Sequence, residues 1–217
     1  CTRGGGTIGA VTAARAPADG YTLFLGTTSE SVLVPLLQKT NYDPAKDFVP
    51  VSILSVSVGA IVVHPSVPAH NLKELVAYAK ANPGKLNYGS AGAGSSSNLT
   101  GELFKHLAGL PDIVHIPYKS ATPGITDLVA GQIPIMTPMI SGNIVELHKA
   151  GKVRVLASAS EQRMAAAPDI PTGAEQGFPD LVSQLFVGLF APTGTPQPVI
   201  DQLVKATAAV AGDKEWQ

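Results

Sequence analysis

Cysteine is almost absent from this chain, since Cys1 is the only one among 217 residues. One cysteine cannot form an internal disulfide bond or a CxxC motif, and Cys1 is interpreted as an incidental terminal residue, with an acylated lipoprotein cysteine as the alternative. The histidines do not show the HxxxH spacing of a helical zinc site. The sequence therefore predicts neither a metal site nor a cofactor.

Charged residues are also scarce, at 14% of the chain against roughly 25% in ordinary soluble domains. The net charge is −1, and lysine and arginine are scattered along the sequence rather than clustered. No basic face is available to neutralise phosphates, so nucleic acid is excluded as an expected partner. Hydrophobic residues make up 45%, which predicts an ordered chain with a substantial core.

A long uncharged segment, residues 48–63, is the one stretch that raises the question of a membrane helix. Pro50 interrupts it, and serines alternate with valine and isoleucine, a pattern typical of strands. We therefore expect two strands joined by a turn near Gly59. No secretory signal segment is visible in these residues.

Short β-branched segments alternate with helical patterns along the rest of the chain. The predicted strands are residues 21–25, 49–54, 60–64, 86–90, 113–116, 133–136, 153–158 and 186–191. The predicted helices are 72–81, 99–107, 124–130 and 198–210. Asn71 is the expected N-cap of the first of these, with Glu74 as its capping-box partner. This alternation predicts an α/β fold with largely parallel sheets.

The segment from Asn87 to Asn98 is the most informative, because a strand runs into a glycine-rich and serine-rich turn before a helix predicted to begin at Leu99. Glycine lets the backbone approach a ligand, and the first amides of a helix carry unpaired N–H groups at the positive end of its dipole. The turn is therefore a candidate anion site. Its expected donors are the amides of Gly94, Ser95 and Ser96 with the hydroxyls of Ser95 and Ser96; the competing interpretation is that Ser97 or Asn98 only caps the helix.

Nucleotide-binding and catalytic motifs are weak by comparison. Residues 4–9 match GxGxxG, but no strand precedes them and no acidic residue follows at the ribose position, so a turn and helix start are expected instead. Neither Ser90 nor Ser96 lies in a GxSxG elbow. His115, flanked by isoleucines, is interpreted as a structural residue rather than a base.

Many segments together resemble the periplasmic receptors of tripartite tricarboxylate transporters, the Bug-type solute-binding proteins. The matching segments are GTIGA (6–10), PADGYTL (17–23), YDPAKDF (42–48), LKEL (72–75), AKANPGKLNY (79–88), the turn itself, GELF (101–104), HIPYK (115–119), DIPT (169–172) with Glu175 and Gly177, and FVGLFAP (186–192). Because they follow one order over nearly the whole chain, the resemblance is more specific than any single motif.

The resemblance implies a two-lobed type II periplasmic binding protein fold with a ligand cleft between the lobes. Lobe 1 would comprise residues 1–63 and 187–217, and lobe 2 residues 64–186. A monomeric, non-enzymatic receptor would capture a dicarboxylate, a tricarboxylate or an amino acid in the periplasm and deliver it to membrane permease subunits. Family members carry a strand, a loop and a helix before the point matching Cys1 and further helical sequence after Gln217, so the chain is expected to be truncated at both ends.

The candidate ligand-binding residues come from both lobes. Strand ends facing a cleft commonly bind ligands in α/β folds, which points to the polar residues after the first strand; other candidates follow later strands. The full set is Thr27, Thr28, Ser29, Ala91, Gly92, Gly94, Ser95, Ser96, Asn98, Tyr118, Lys119 and Thr137. No residue is predicted to be catalytic.

The chain departs from the family pattern at positions that bear on the ligand. Ser31 and Val34 replace a usual histidine and asparagine, Asn98 replaces a histidine, Ser120 replaces a glycine, and Thr137 lies where an aromatic and acidic pair is usual. The identity of the ligand therefore stays open. Two other functions also stay open, a ligand sensor for a signalling partner and an enzyme on the same bilobal scaffold.

Overall fold

The structure is a computed structural model that describes residues 7–37 and 39–211. Its helices are α1 (Thr7–Ala14), α2 (Val34–Leu37), α3 (Pro44–Asp47), α4 (Leu72–Ala81), α5 (Ser96–Ala108), α6 (Ala121–Val129), α7 (Gly142–Lys149) and α8 (Gln197–Ala211), with a π-helix at Ser29–Leu33 and a 3₁₀ helix at Ala174–Gln176. Its strands are β1 (Phe24–Thr27), β2 (Phe48–Val58), β3 (Ala60–Val63), β4 (Asn87–Ser90), β5 (Val114–Pro117), β6 (Ile135–Met136), β7 (Arg154–Ser158) and β8 (Gln184–Pro192).

The chain divides into two compact units, one formed by Cys1–Val56 with Leu185–Gln217 and the other by Ser57–Gln184. It passes from the first unit to the second within β2 and returns at the start of β8. The lobe boundary expected after Val63 falls later than this division, because β3 pairs with strands β6 and β7 of the second unit.

The first unit contains a three-stranded sheet in the order β1-β8-β2, with β1 antiparallel to β8. Its core is aromatic: the rings of Phe24 and Phe48 stack at 4.9 Å, and Phe190 packs against both. Ala10 and Ala13 of α1 are buried against this cluster. Small alanines let the helix lie close to the sheet.

The second unit contains a five-stranded sheet in the order β5-β4-β6-β3-β7. Strand β4 is parallel to β5 and β6, whereas β3 is antiparallel to both β6 and β7. The prediction of largely parallel sheets is therefore wrong for β3, and it is also wrong for the antiparallel pair β1 and β8 of the first unit. Strands β4 to β7 share one direction because a helix separates each from the next, as in repeated crossover units, but β3 enters the sheet from the opposite end.

Both faces of this sheet are covered by helices, as the packing of successive β3 side chains into two different clusters shows. Ile61 and Val63 pack in one cluster with residues of α4 and α5, while Ala60 and Val62 pack in another with residues of α6 and α7. All four side chains are fully buried. A strand buried on both faces reads as a continuous apolar run, which explains the hydrophobic segment noted in the sequence.

Most of the predicted elements are confirmed. Every predicted strand and helix has a counterpart in the structure, and α4 has the predicted bounds. Asn71 caps α4, with its side chain accepting a hydrogen bond from the Glu74 amide at 2.8 Å, while the Glu74 carboxylate accepts one from the amide of His70. Helices α2, α3 and α7 were not predicted, since all three are short.

Two other expectations concern residues 48–63 and the GxGxxG segment. Residues 48–63 form β2 and β3, as expected, and no helix within the described ranges is long and apolar enough to cross a membrane. The helix start expected in the GxGxxG segment is confirmed at Thr7, where α1 begins. The first glycines of that segment and Cys1 lie outside the described residues.

Candidate functional site

The glycine-rich turn between β4 and α5 adopts a backbone that only glycine accepts easily. Gly92 has a φ of +123° and Gly94 a φ of +75°. Positive φ values bring a Cβ atom into conflict with the backbone, so glycine is favoured at both positions. These two residues turn the chain from the end of β4 into the first turn of α5.

Ser95 is the N-cap of α5, so the helix begins at Ser96, three residues before the predicted start at Leu99. The Ser95 hydroxyl accepts a hydrogen bond from the Asn98 amide at 3.2 Å and donates one to the Gly92 carbonyl at 2.6 Å. The expectation that Ser97 or Asn98 caps the helix is therefore wrong. Ser95 has the extended backbone that an N-cap requires, with ψ at 159°.

Ser97 and Asn98 instead pair with the turn itself. The Ala91 amide donates to the Ser97 hydroxyl at 2.8 Å, and the Gly94 amide donates to Asn98 Oδ1 at 2.9 Å. The Gly92 amide donates to Ser90 Oγ, and the Ser95 amide donates to the Gly92 carbonyl. Hydrogen bonds within the turn, most of them to its own side chains, thus stabilise its conformation.

Three backbone N–H groups remain at this helix start without a partner in the described part of the chain, those of Ala93, Ser96 and Ser97. The half-buried Ser96 hydroxyl also has none there. Of the amides expected from the sequence, only that of Ser96 is among them, since those of Gly94 and Ser95 are already paired. Sequence reasoning missed the Ala93 and Ser97 amides because the pairing of amides within the turn depends on which residue caps the helix.

Behind the turn, Ser90 and His115 connect two neighbouring strands. Ser90 Oγ lies 2.7 Å from His115 Nε2, and Ser90 is fully buried. The imidazole stacks on the ring of Tyr88 at 4.9 Å. Burial lowers the pKa of His115; the Glu102 carboxylate acts to raise it and the Lys105 ammonium to lower it further. The neutral imidazole is therefore favoured in the folded chain.

A second group of polar side chains links β4 to α5. The Tyr88 hydroxyl donates to Glu102 Oε1 at 2.6 Å and accepts from the Asn98 side-chain amide at 2.7 Å. Burial, with the bond to Glu102, raises the pKa of Tyr88 above its usual range. Burial also acts to raise the pKa of Glu102, but hydrogen bonds from Tyr88 and Lys105 outweigh it and lower that pKa overall. Because Asn98 also accepts from Gly94, these bonds reach the turn.

The other candidates of the second unit lie around this turn but are differently engaged. The Tyr118 amide donates to the Ser90 carbonyl, and its hydroxyl donates to Asp127 Oδ2 at 2.8 Å. Burial and this bond raise the pKa of Tyr118 to about 12. Thr137 is 1% exposed, and its hydroxyl donates to the Ser97 carbonyl at 2.6 Å. Lys119 is exposed, with no hydrogen bond or ion pair among the residues described.

The three candidates of the first unit lie at the end of β1 and the start of the π-helix. Both oxygens of the Glu30 carboxylate are used here, since the Thr27 amide and the Thr27 hydroxyl each donate to one at 2.7 Å. Thr28 Oγ1 accepts a bond from the Phe186 amide at 2.9 Å, which leaves its hydrogen available to a further acceptor. Glu30 is 6% exposed, so these two bonds satisfy a buried carboxylate.

Ser90 and His115 are hydrogen-bonded as in a catalytic dyad, but the serine is not accessible to a substrate. Ser90 is 0% exposed, and its Oγ also bonds within the turn to Gly92. Among the described residues, no carboxylate orients the other imidazole nitrogen, which a triad would require. Those residues also include no group of three or more histidine, cysteine, aspartate or glutamate side chains placed to hold a metal ion.

The sequence profile of a family described as "Tripartite tricarboxylate transporter family receptor" matches residues 2–213. Among curated relatives, the chain is similar to Protein BugT of Bordetella pertussis, with 33% identity over 198 residues, which are 90% of this chain and 60% of the relative. For two further relatives the covered shares are 59% and 61% of their length. The chain therefore spans about three fifths of the length of the curated relatives it matches.

Solved structures are similar over a larger share of their length. One is MatC from Rhodopseudomonas palustris with bound malate, with a TM-score of 0.73 and 33% identity over 98% of this chain and 72% of that chain. Another is Rpa4515 of the same organism with adipate, with a TM-score of 0.76 and 32% identity over 97% of this chain and 70% of that chain. Both molecules in these structures are small dicarboxylates.

Proposed function

The chain belongs to the tripartite tricarboxylate transporter receptor family, and we propose that it captures a small carboxylate in the periplasm and delivers it to membrane permease subunits. Receptors of this family bind solutes and are not enzymes, and the expected two-lobed periplasmic binding protein fold is confirmed by the structural matches. The observation that carries the proposal is the set of unpaired donors at the start of α5: the amides of Ala93, Ser96 and Ser97 with the Ser96 hydroxyl.

These donors suit a carboxylate for electrostatic reasons. The 13 residues of α5 place the positive end of the helix dipole at this turn, and a carboxylate oxygen can accept several N–H bonds there. A hydrogen bond to a charged group contributes about 1.5 to 3 kcal/mol, so a few neutral donors suffice without an arginine. The turn has no arginine or lysine from Asn87 to Leu99.

A second group of ligand contacts is proposed for the first unit, at the residues after β1. Thr28 retains a hydroxyl hydrogen, and Ser29 has no hydroxyl partner among the described residues. We assign Thr27 to a supporting role, because its hydroxyl is engaged by Glu30. A ligand stabilises the receptor conformation to which it binds most tightly, which gives a permease a ligand-dependent shape to recognise.

The remaining candidates divide by their availability. Lys119 is proposed to add a favourable charge near the ligand, whereas Tyr118 and Thr137 support the turn through bonds to Ser90 and Ser97. Ala91, Gly92, Gly94, Ser95 and Asn98 give the turn its shape and pair its amides. This division changes the expectation from the sequence, which named Gly94 and Ser95 as donors beside Ser96.

Calorimetric titration with a panel of carboxylates tests this function. The panel includes malate, adipate, citrate and two amino acids, with a matched uncharged diol as the control. We expect saturable one-to-one binding of at least one carboxylate and none of the diol. Mass spectrometry of the natively purified protein identifies any ligand that co-purifies. Absence of binding across the panel, or steady consumption of a bound compound, would overturn the proposal.

A further inference from the structure

The Ser90 hydroxyl has three hydrogen-bond partners but only one proton to donate. Its Oγ lies 3.1 Å from the Gly92 carbonyl oxygen, 3.2 Å from the Gly92 amide nitrogen and 2.7 Å from His115 Nε2. The amide can only donate and the carbonyl can only accept, so the serine proton goes either to Gly92 or to His115. The protonation of His115 Nε2 decides between these two arrangements.

All three contacts are satisfied together only when His115 Nε2 carries a hydrogen. The imidazole then donates to Ser90 Oγ, and the serine proton is free to bond the Gly92 carbonyl. When Nε2 is bare, the serine proton turns towards the imidazole and the Gly92 carbonyl loses that donor. The cationic imidazole always carries a hydrogen on Nε2, whereas the neutral form exchanges between two tautomers.

The groups that face His115 set the charge around this pair. On β4, Tyr88 stacks on the imidazole, and on α5 Glu102 and Lys105 act on it electrostatically with opposite signs. Lys105 also lies 5.8 Å from the centre of the Tyr88 ring and bonds Glu102. Because the Glu102 carboxylate is already paired with the Lys105 ammonium, it offsets a new positive charge on the imidazole only in part.

We propose that His115 is a positioning residue for the anion-binding turn, and that its protonation fixes the turn through Ser90 and strengthens carboxylate capture as the pH falls. This inference rests on the proposed function, because it concerns the same turn. Two effects act in one direction. The protonated imidazole holds Ser90 in the arrangement that also bonds Gly92, and it places a positive charge one strand away from the donors of the α5 start.

A ligand-free titration tests the positioning role. The amide resonances of Gly92 and Ala93 in ¹H–¹⁵N NMR spectra are followed from pH 8 to 5 beside the ring resonances of His115. We expect the Gly92 amide to shift with the same midpoint as the imidazole. Ser90→Ala removes the connecting hydroxyl and should abolish that shift while His115 still titrates. His106→Gln, on an exposed histidine of α5, is the control and should change nothing.

A second arm measures affinity for malate and adipate over the same pH range in the unmodified protein and in His115→Gln. Glutamine can place an N–H donor near the position of Nε2 but cannot become cationic. We expect the unmodified protein to gain roughly threefold to tenfold in affinity relative to His115→Gln as the pH falls, the range for one partly screened charge. Ionisation of the ligand is common to both proteins and cancels in the comparison.

The outcomes separate the inference from the function on which it rests. A Gly92 amide that ignores the titration of His115, or an identical pH dependence of affinity in the two proteins, would overturn the inference. Failure of both probes to bind either protein at any pH would count against the proposed function, and the ligand-free titration would still decide whether His115 sets the turn.

Discussion

Replacing Ser96 with proline isolates the contribution of one backbone amide to ligand binding. Ser96 is the first residue of α5, and its N–H group has no partner among the described residues. Proline is favoured at this position of a helix because the missing N–H group would be unpaired in any case. The preceding Ser95 has φ at −72° and ψ at 159°, the extended backbone that a residue before proline prefers. The substitution should therefore leave the helix intact.

The expected loss follows from the number of donors removed. Ser96→Ala removes the hydroxyl and keeps the amide, whereas Ser96→Pro removes both. A hydrogen bond to a charged acceptor contributes about 1.5 to 3 kcal/mol, so each lost donor should weaken carboxylate binding roughly tenfold to a hundredfold. The difference between the two variants is the contribution of the amide alone.

Calorimetric titration with the tightest-binding carboxylate of the panel gives the three dissociation constants. Gly142→Pro is the matched control, since Gly142 is the first residue of α7 in the same unit and a Cβ there meets no atom within 4 Å. Thermal unfolding checks that both proline variants are folded. Equal affinities for Ser96→Pro and Ser96→Ala, both folded, would refute the assignment of this amide to the ligand.

Three further predictions concern the stability of the second unit. Ser95→Ala removes the N-cap of α5 and should lower the free energy of unfolding in urea by about 1 kcal/mol; an unchanged midpoint would contradict the cap. Gly101→Ala should cost about 1 to 3 kcal/mol, because its Cβ would lie 2.2 Å from the Tyr88 ring, while Gly142→Ala should not destabilise the chain. The lowered pKa of His115 means that the unfolded chain takes up a proton first, so stability should be full above a pH of about 6.5 and fall as the pH drops below it. His115→Gln should reduce this dependence of the free energy of unfolding on pH. An identical dependence in the variant would contradict a contribution from His115.

The sequence was sufficient to find the turn but not to divide its residues into donors and supports. Ser95, Ser96, Ser97 and Asn98 are all good N-cap residues, so composition cannot say which of them adopts the extended backbone. In the structure Ser95 does, and this choice decides which amides pair within the turn. The bond from Thr137 to the Ser97 carbonyl joins residues 40 positions apart, and no local pattern predicts it.

Strand direction could likewise be predicted only in part from the sequence. The alternation of strands and helices gave the shared direction of β4 to β7, because each crossover is local. The reversed β3 depends on how the chain enters the sheet after β2, and its four apolar residues fit either direction equally well. The family resemblance supplied the fold class directly, whereas the buried Glu30 beneath Thr27 came from the structure alone.

Chemical-shift mapping of the amides on addition of malate and adipate tests the central claim most directly. If a carboxylate binds at the start of α5, the resonances of Ala93, Ser96 and Ser97 should move most and towards lower field, because their N–H groups gain a charged acceptor. Those of Gly94 and Ser95, which are already paired within the turn, should move less. Saturable binding that leaves all five resonances in place would contradict the account.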